Sequence, residues 1–271
     1  MADPRLAVIP FTKAHGNGND FVMFEAERCP EVIRDRAFIQ RVCDRHAGVG
    51  ADGVHILSAP AEKGIDFHLD YFNSDGSWET FCANGSRCAV SLYARQKGIT
   101  GKISFMAGDG RHEAELLPDG QIRLQSVTPS FVTEMLDIDG FRGRHIDAGA
   151  PHFAIEVDEL DEELVAREGP RIRHHETFQP RGVNVNFYRR IDAHTIEVIS
   201  YEKGVEAVMR SCASGSTAAG FLAAMTGDLR SPVRIINPGG ELVMAFDAEW
   251  QNVWVTGPAV LVFDAQLPDD F

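Results

Sequence analysis

NSDGSWETFCANGSRC, residues 73–88, decides how this chain is read. A polar, glycine-containing turn runs up to Cys82, and Ala83, Asn84 and Gly85 follow it. From Cys88 the run CAVSLYA has the character of a helix, carried to about Lys97 and closed by Gly98. The cysteine therefore stands where a turn feeds a helix. The arrangement recurs 130 residues further on, where RSCASGSTAAG (210–220) sets Cys212 ahead of Ala213, Ser214, Gly215 and Ser216.

Around each junction the chain has the same grammar. In the first half, residues 6–16, 53–60, 65–76, 102–108, 111–126 and 129–135 read as strands. The Pro-Asp-Gly at 118–120 marks a hairpin turn. Residues 29–48 read as a helix from the spacing of Ile33, Phe38, Ile39 and Val42. In the second half, residues 146–157, 182–190, 195–204, 233–246 and 252–263 read as strands. A short helix lies within 160–175, and a small-residue helix follows Cys212. This predicts an α/β chain of the α+β type, made of two pseudo-symmetric domains that meet near residues 119–125.

The totals agree with that size. With 271 residues, 44% of them hydrophobic, the chain can bury the core of one large domain or two of roughly 130 residues each. A formal net charge of −14 opposes phosphate binding, so no nucleic-acid partner is expected, and the composition suits a soluble cytoplasmic protein. MADPRLAVIPF at the start lacks a basic segment followed by a long apolar one, and no run reaches the ~18–20 apolar residues of a membrane span. Neither a secretion signal nor a membrane association is expected. Cys29, Cys43, Cys82, Cys88 and Cys212 are odd in number and contain no CxxC. They read as free thiols in a reducing compartment, with no metal site.

A thiol with an ordinary pKa of about 8.5 needs help to act as a base near neutrality. The start of a helix, with its unpaired N–H groups, favours a thiolate and also binds a carboxylate. The small residues after Cys82 and Cys212 let a ligand approach the backbone. Cys29, Cys43 and Cys88 read instead as buried apolar residues. Two thiols facing one pocket suggest removal of a proton from one face of an α-carbon and its return on the other. Such a racemase or epimerase works without a cofactor. The five lysines (Lys13, Lys63, Lys97, Lys102, Lys203) offer no obvious cofactor setting. HGNGNDF (15–21) and GVGADG (48–53) are polar glycine-rich loops that match neither dinucleotide nor P-loop spacing. They read equally as tight turns or as parts of a pocket.

Taken in order, HGNGNDF, GVGADG, FNSDGSWETFCANGSRC, GAPH, RGVNVNF, YEKGVEAVMRSCASGS and GPAVLVF resemble the diaminopimelate epimerase family over most of the chain. The resemblance implies two similar domains, each with strands wrapped around a central helix, closing over the substrate. Residues 1–120 with the C-terminal strand 260–271 would form one, and 121–259 the other. It implies cofactor- and metal-free epimerisation of LL-diaminopimelate to the meso form, on the path to lysine and peptidoglycan, and a possible homodimer. Cys82 and Cys212 would be the catalytic thiol pair. Backbone N–H groups of Ala83, Asn84, Ala213, Ser214, Gly215 and Ser216 would hold the reacting carboxylate. Asn19, Asn73, His152, Asn184, Glu202 and Lys203 would line the substrate site.

Some positions depart from the family pattern. Ala83 and Ala213 stand where it has glycine, Ala150 replaces an asparagine, Lys203 replaces an arginine, and Val208-Met209 replaces Glu-Thr. Lys203 offers a point charge in place of a bidentate fork. The same chemistry on another polar amino acid, such as histidine, therefore stays open. So do a Cys–His hydrolase or transferase using His15 or His152, and a non-catalytic binding module.

Overall fold

The computed structural model describes residues 8–268 and 271. Strand β1 (Val8–Gly16) turns into β2 (Asn19–Glu25) through Asn17 and Gly18, both left-handed at φ 53° and 79°. A two-residue turn of this kind has the twist a hairpin needs. The chain crosses over through α1 (Arg36–Cys43) to β3 (Gly53–Ser58), parallel to β2, and β4 (Phe67–Asn73) and the short β5 (Trp78–Glu79) add antiparallel. Helix α2 (Ala83–Lys97) leads to β6 (Gly101–Ala107), parallel to β4, with β7 (Gly110–Leu116) and β8 (Ile122–Ser126) antiparallel beyond it.

The pattern then starts again. β9 (Ser130–Ile138), β10 (Phe141–Asp147) and β11 (Pro151–Glu156) pair antiparallel, and α3 (Glu162–Arg173) crosses to β12 (Asn184–Asp192), parallel to β11. β13 (Thr195–Glu202) and β14 (Ala207–Met209) follow antiparallel. Helix α4 (Ala213–Thr226) leads to β15 (Val233–Asn237), parallel to β13, then to antiparallel β16 (Gly240–Ala245) and β17 (Val253–Gly257). The last strand, β18 (Val260–Pro268), lies antiparallel on β1, as β9 does on β10.

The chain divides into two compact units, Met1–Leu124 with Pro258–Phe271, and Gln125–Gly257. Within each, the order and sense of pairing are the same. In each, one helix packs on the strands from inside, α2 in the first and α4 in the second. Small residues make that possible. Cys88, Ala89, Val90 and Leu92 of α2 are fully buried among Phe67, Phe105, Ile122 and Leu124. Burial of Val90 and Leu92 stabilises the unit by about 1.5–3 kcal/mol each. In α4 Gly220 packs against the end of the Met244 side chain of β16, where a Cβ would push the Met244 methyl aside.

The helix expected over 29–48 is shorter. Cys29 is extended ahead of Pro30 (φ −128°, ψ 152°), as the residue before a proline must be. A single 3-10 turn, Glu31–Arg34, follows; Asp35 is extended, and only Arg36–Cys43 is α-helical. Beyond it Asp44 turns away, its carboxylate accepting from the N–H groups of His46 and Ala47. Cys29 thus lies outside any α-helix and is half-buried, its thiol facing Pro10 O at 3.5 Å. Among the described residues no helix is long and apolar enough to cross a membrane.

Candidate active site

Cys82 is the N-cap of α2, with φ −140° and ψ 110°, and Cys212 is the N-cap of α4, with φ −130° and ψ 107°. Ser86 N–H donates to Cys82 O and Ser216 N–H to Cys212 O, both at 2.8 Å. The N–H groups of Ala83, Asn84 and Gly85 in one helix, and of Ala213, Ser214 and Gly215 in the other, therefore precede the first intrahelical bond. Neither cysteine side chain caps its helix. Each helix start thus presents a sulfur beside several backbone donors. Ser216 is fully buried, its N–H is taken by Cys212 O and its hydroxyl donates to Asn237, so it supports the helix and presents no donor to a ligand. Gly85, the third residue after Cys82, holds the position that Gly215 holds in α4.

In the first unit Asn19 gathers the polar groups. Its Nδ2 donates to Asp52 Oδ2 at 2.7 Å, its Oδ1 accepts from Asn84 Nδ2 at 3.2 Å, and Cys82 Sγ lies 4.0 Å from the same oxygen. Asp52 is held in turn by Arg45, which also binds Asp20, and Lys13 binds Asp20 from the other side. Burial alone would raise the Asp20 carboxyl, but the hydrogen bonds and charges of Arg45 and Lys13 outweigh it and hold the group below its usual range. The HGNGNDF and GVGADG loops thus meet at Asn19 and Asp52. Asn73, at the end of β4, stands opposite Gly53 and accepts from Tyr71 OH at 2.6 Å.

In the second unit His152 and Asn184 are register partners on β11 and β12. Asn184 Oδ1 accepts from the Lys203 N–H at 2.9 Å and so fixes the turn after β13, while Lys203 itself is exposed. His152 is fully buried; Asn186 Nδ2 donates to its Nδ1 at 3.0 Å, and Ser200 donates to Asn186 Oδ1 at 2.8 Å. Burial pushes His152 down to about 3, so it is uncharged at neutral pH. Glu202 is half-buried at the end of β13, and Cys212 Sγ lies 3.6 Å from Ser214 Oγ.

Superimposing the two pairing schemes aligns His55 with Asn186, Tyr71 with Ser200 and Asn73 with Glu202. The alignment has a packing consequence. A Cβ on Gly85 would stand 1.7 Å from His55 Nε2, and one on Gly215 would stand 2.0 Å from Asn186 Oδ1. Both helix starts rest directly on a polar side chain of the strand beneath, which only glycine allows. His55 is fully buried, stacked on Tyr71 and edge-on to Phe21; burial pushes it down to about 3, and neither ring nitrogen has a partner.

The remaining thiols are of another kind. Burial pushes Cys29 up to about 11 and Cys43 and Cys88 up to about 12, which suits apolar packing and not nucleophilic chemistry. His15 Nδ1 accepts from Gly18 N–H at 3.4 Å within the β1–β2 turn. Among the described residues no group of three or more His, Cys, Asp or Glu is placed to hold a metal ion.

The sequence matches the family model described as diaminopimelate epimerase over residues 11–132 and 144–262. The chain belongs to the diaminopimelate epimerase family. A diaminopimelate epimerase of Aquifex aeolicus is 36% identical over 274 residues, covering 96% of this chain and 98% of the relative. One from Flavobacterium psychrophilum is 34% identical over 259 residues, covering 94% and 98%. Among solved structures, a hydroxyproline epimerase from Agrobacterium vitis aligns with a TM-score of 0.74 at 14% identity, covering 96% of this chain and 91% of that one. A PhzF-family phenazine biosynthesis protein of Bacillus anthracis aligns at 0.68 and 12%, covering 96% and 99%. At such identities these two speak for the fold alone.

Against the diaminopimelate epimerase pattern, the added methyl of Ala83 packs on the first core and Ala213 is buried. Ala150 sits in the β10–β11 turn, where its carbonyl accepts from Ala148 N–H at 3.2 Å.

Proposed function

We propose that this protein interconverts LL- and meso-diaminopimelate by a two-base exchange of the α-proton, with Cys82 and Cys212 as the base and acid. The observation that carries this reading is the pair of cysteines at the N-caps of two equivalent helices, with nearly equal backbone angles. A thiolate removes the α-proton while the other thiol delivers its proton to the opposite face, so the configuration inverts and no net proton is gained or lost. The helix starts stabilise negative charge on the sulfur and on the substrate carboxylate. Asn19, Asn73, His152, Asn184, Glu202 and Lys203 line the substrate in this reading. His152, being uncharged, serves as a neutral hydrogen-bonding group and not as an acid. Such an exchange needs no cofactor.

The test is proton NMR in deuterated water with LL-diaminopimelate. The expected result is loss of the α-proton signal with formation of the meso isomer, reduced at least ~10³-fold by Cys82→Ser or by Cys212→Ser. A second reading, favoured by Ala150 and the single charge of Lys203, keeps the chemistry and changes the amino acid. No turnover of LL-diaminopimelate with exchange of another polar amino acid would establish it. Full activity in Cys82→Ser would end the two-base mechanism.

A further inference from the structure

Arg173, the last residue of α3, is buried and meets a carboxylate on another segment. Its Nε donates to Glu206 Oε1 at 3.2 Å, and its Nη2 lies 3.1 Å from the same oxygen. The other Glu206 oxygen lies 3.1 Å from Nε2 of His174, the next residue along. Burial alone would raise the Glu206 carboxyl, but the Gly204 N–H and the charge of Arg173 outweigh it and hold the group below its usual range. Glu206 is therefore ionised at neutral pH, and the pair is a salt bridge whose cation is out of water.

Glu206 also closes the turn it sits in. Its N–H donates to Glu202 O at 2.8 Å, and its carboxylate accepts from Gly204 N–H at 3.1 Å. Its backbone is left-handed, at φ 56°, a conformation that a residue other than glycine keeps only where its surroundings hold it. Arg173 touches a second loop at Gly182, where a Cβ would stand 1.7 Å from Arg173 Nη1, so the guanidinium lies directly against this backbone. Two residues on is Asn184, whose Oδ1 accepts from the Lys203 N–H at 2.9 Å. One buried cation thus joins the loop that leads to Asn184 and the turn that carries Lys203, and the two segments meet at this hydrogen bond.

Resting on the proposed function, we propose that Arg173 and Glu206 are positioning residues for the end of the substrate remote from the reacting carbon. Diaminopimelate has two carboxylates. In that reading the helix starts take the reacting one, and Lys203 supplies the charge for the other. Lys203 lies outside the strand pairing, since the ladder between β13 and β14 ends with Glu202 opposite Ala207. Glu202 is therefore held by the sheet, while Lys203 and Gly204 are kept in place by the ion pair and by Asn184. A turn fixed before the substrate arrives spares binding the cost of ordering it. The pair therefore acts on affinity and not on the proton exchange. The first unit ties its corresponding turn differently. There Arg36 Nε and Gln40 Nε2 of α1 donate to the Asp75 carbonyl at 3.0 and 2.9 Å, and all three residues are exposed. A surface contact to a carbonyl is enough to hold a turn to its helix. The second unit buries the cation and gives it a counterion, at the turn that carries the lysine.

The experiment measures kcat and KM for LL-diaminopimelate, with amide hydrogen exchange on the same proteins. Glu206→Gln keeps the shape of the side chain and removes its charge. It is expected to raise KM about tenfold with kcat within about twofold, and to speed exchange at residues 203–206. Arg173→Met should do the same, and Arg173→Lys should recover part of the affinity. Arg171→Met is the control, because Arg171 pairs with Glu168 at 2.7 Å instead; it should match the parent. An unmoved KM in Glu206→Gln would overturn the inference, as would a fall in kcat equal to the rise in KM, and neither result needs Arg173→Met to fold. Unchanged exchange at 203–206 would overturn it too. A parent protein that does not turn over LL-diaminopimelate would end the proposed function and this inference with it. An active parent with an indifferent Glu206→Gln would end only the inference.

Discussion

Replacing Gly85 by alanine tests whether the helix start is set by what lies beneath it. The new Cβ would stand 1.7 Å from His55 Nε2 and 2.5 Å from both His55 Cδ2 and Cε1. Ordinary contact begins near 3.4 Å, so the overlap with the nitrogen is 3.4 − 1.7 = 1.7 Å. His55 cannot retreat. It is completely buried, with the Tyr71 ring stacked at 4.7 Å and Phe21 edge-on at 4.9 Å. The helix start must therefore lift. Overpacking of this kind costs about 1–3 kcal/mol, and the gain of alanine over glycine in a helix offsets up to about 1 kcal/mol of it. A net loss of about 1–2 kcal/mol is expected from urea unfolding, with an unchanged denaturant slope.

Activity should fall further than stability. Lifting the helix moves the Ala83, Asn84 and Gly85 N–H groups and the Cys82 sulfur together, and a displacement of about 1 Å costs on the order of 10²-fold in rate. His55→Ala makes room for the new methyl. In the double variant the two losses should not add, with a coupling of about 1 kcal/mol or more in favour of the pair. A Gly85→Ala protein as stable as the parent, or losses that simply add, would refute the claim that the imidazole sets the helix position.

Acid should destabilise the fold through His55 and His152, which burial pushes down to about 3 from an unfolded value of 6.5. Their contribution is whole above about 6.5 and is lost as pH falls from there towards 3. Urea unfolding at pH 7 and 5.5 should differ by roughly 2–3 kcal/mol for the two together, and equal stabilities would contradict it. Lys203→Arg, at an exposed position whose backbone is fixed by Asn184, should lower KM for diaminopimelate several-fold with kcat within about twofold. A KM that does not fall would count against a substrate contact for the Lys203 side chain.

What the sequence discloses and what it hides divide by range of interaction. The turn at Asn17-Gly18 and the Gly98 cap at φ 62° are local, set by backbone conformations that few residues adopt, and the two cysteine junctions are local as well, so all can be read along the chain. The length of α1 is local too. Its overestimate comes from counting apolar spacing through Pro30 and Asp35, both extended, where backbone geometry wins over periodicity. Arg87 is the opposite case. An arginine on a helix reads as a solvated cation, and its burial depends on Pro258, 171 residues away, and on Asn17 in another strand turn. His55 likewise sits in a run, GVHILS, that reads as an ordinary strand; only the helix laid across it turns Gly85 into a requirement. Both surprises lie at the start of α2, His55 beneath it and Arg87 on it. Duplicated topology fixes where a strand side chain meets a helix start, and the residue placed there is then free to differ. His55 is the equivalent of Asn186, and Arg87 of Thr217. Pairing symmetry places the two thiols alike, at the N-caps of α2 and α4, while the side chains beneath the two helix starts differ.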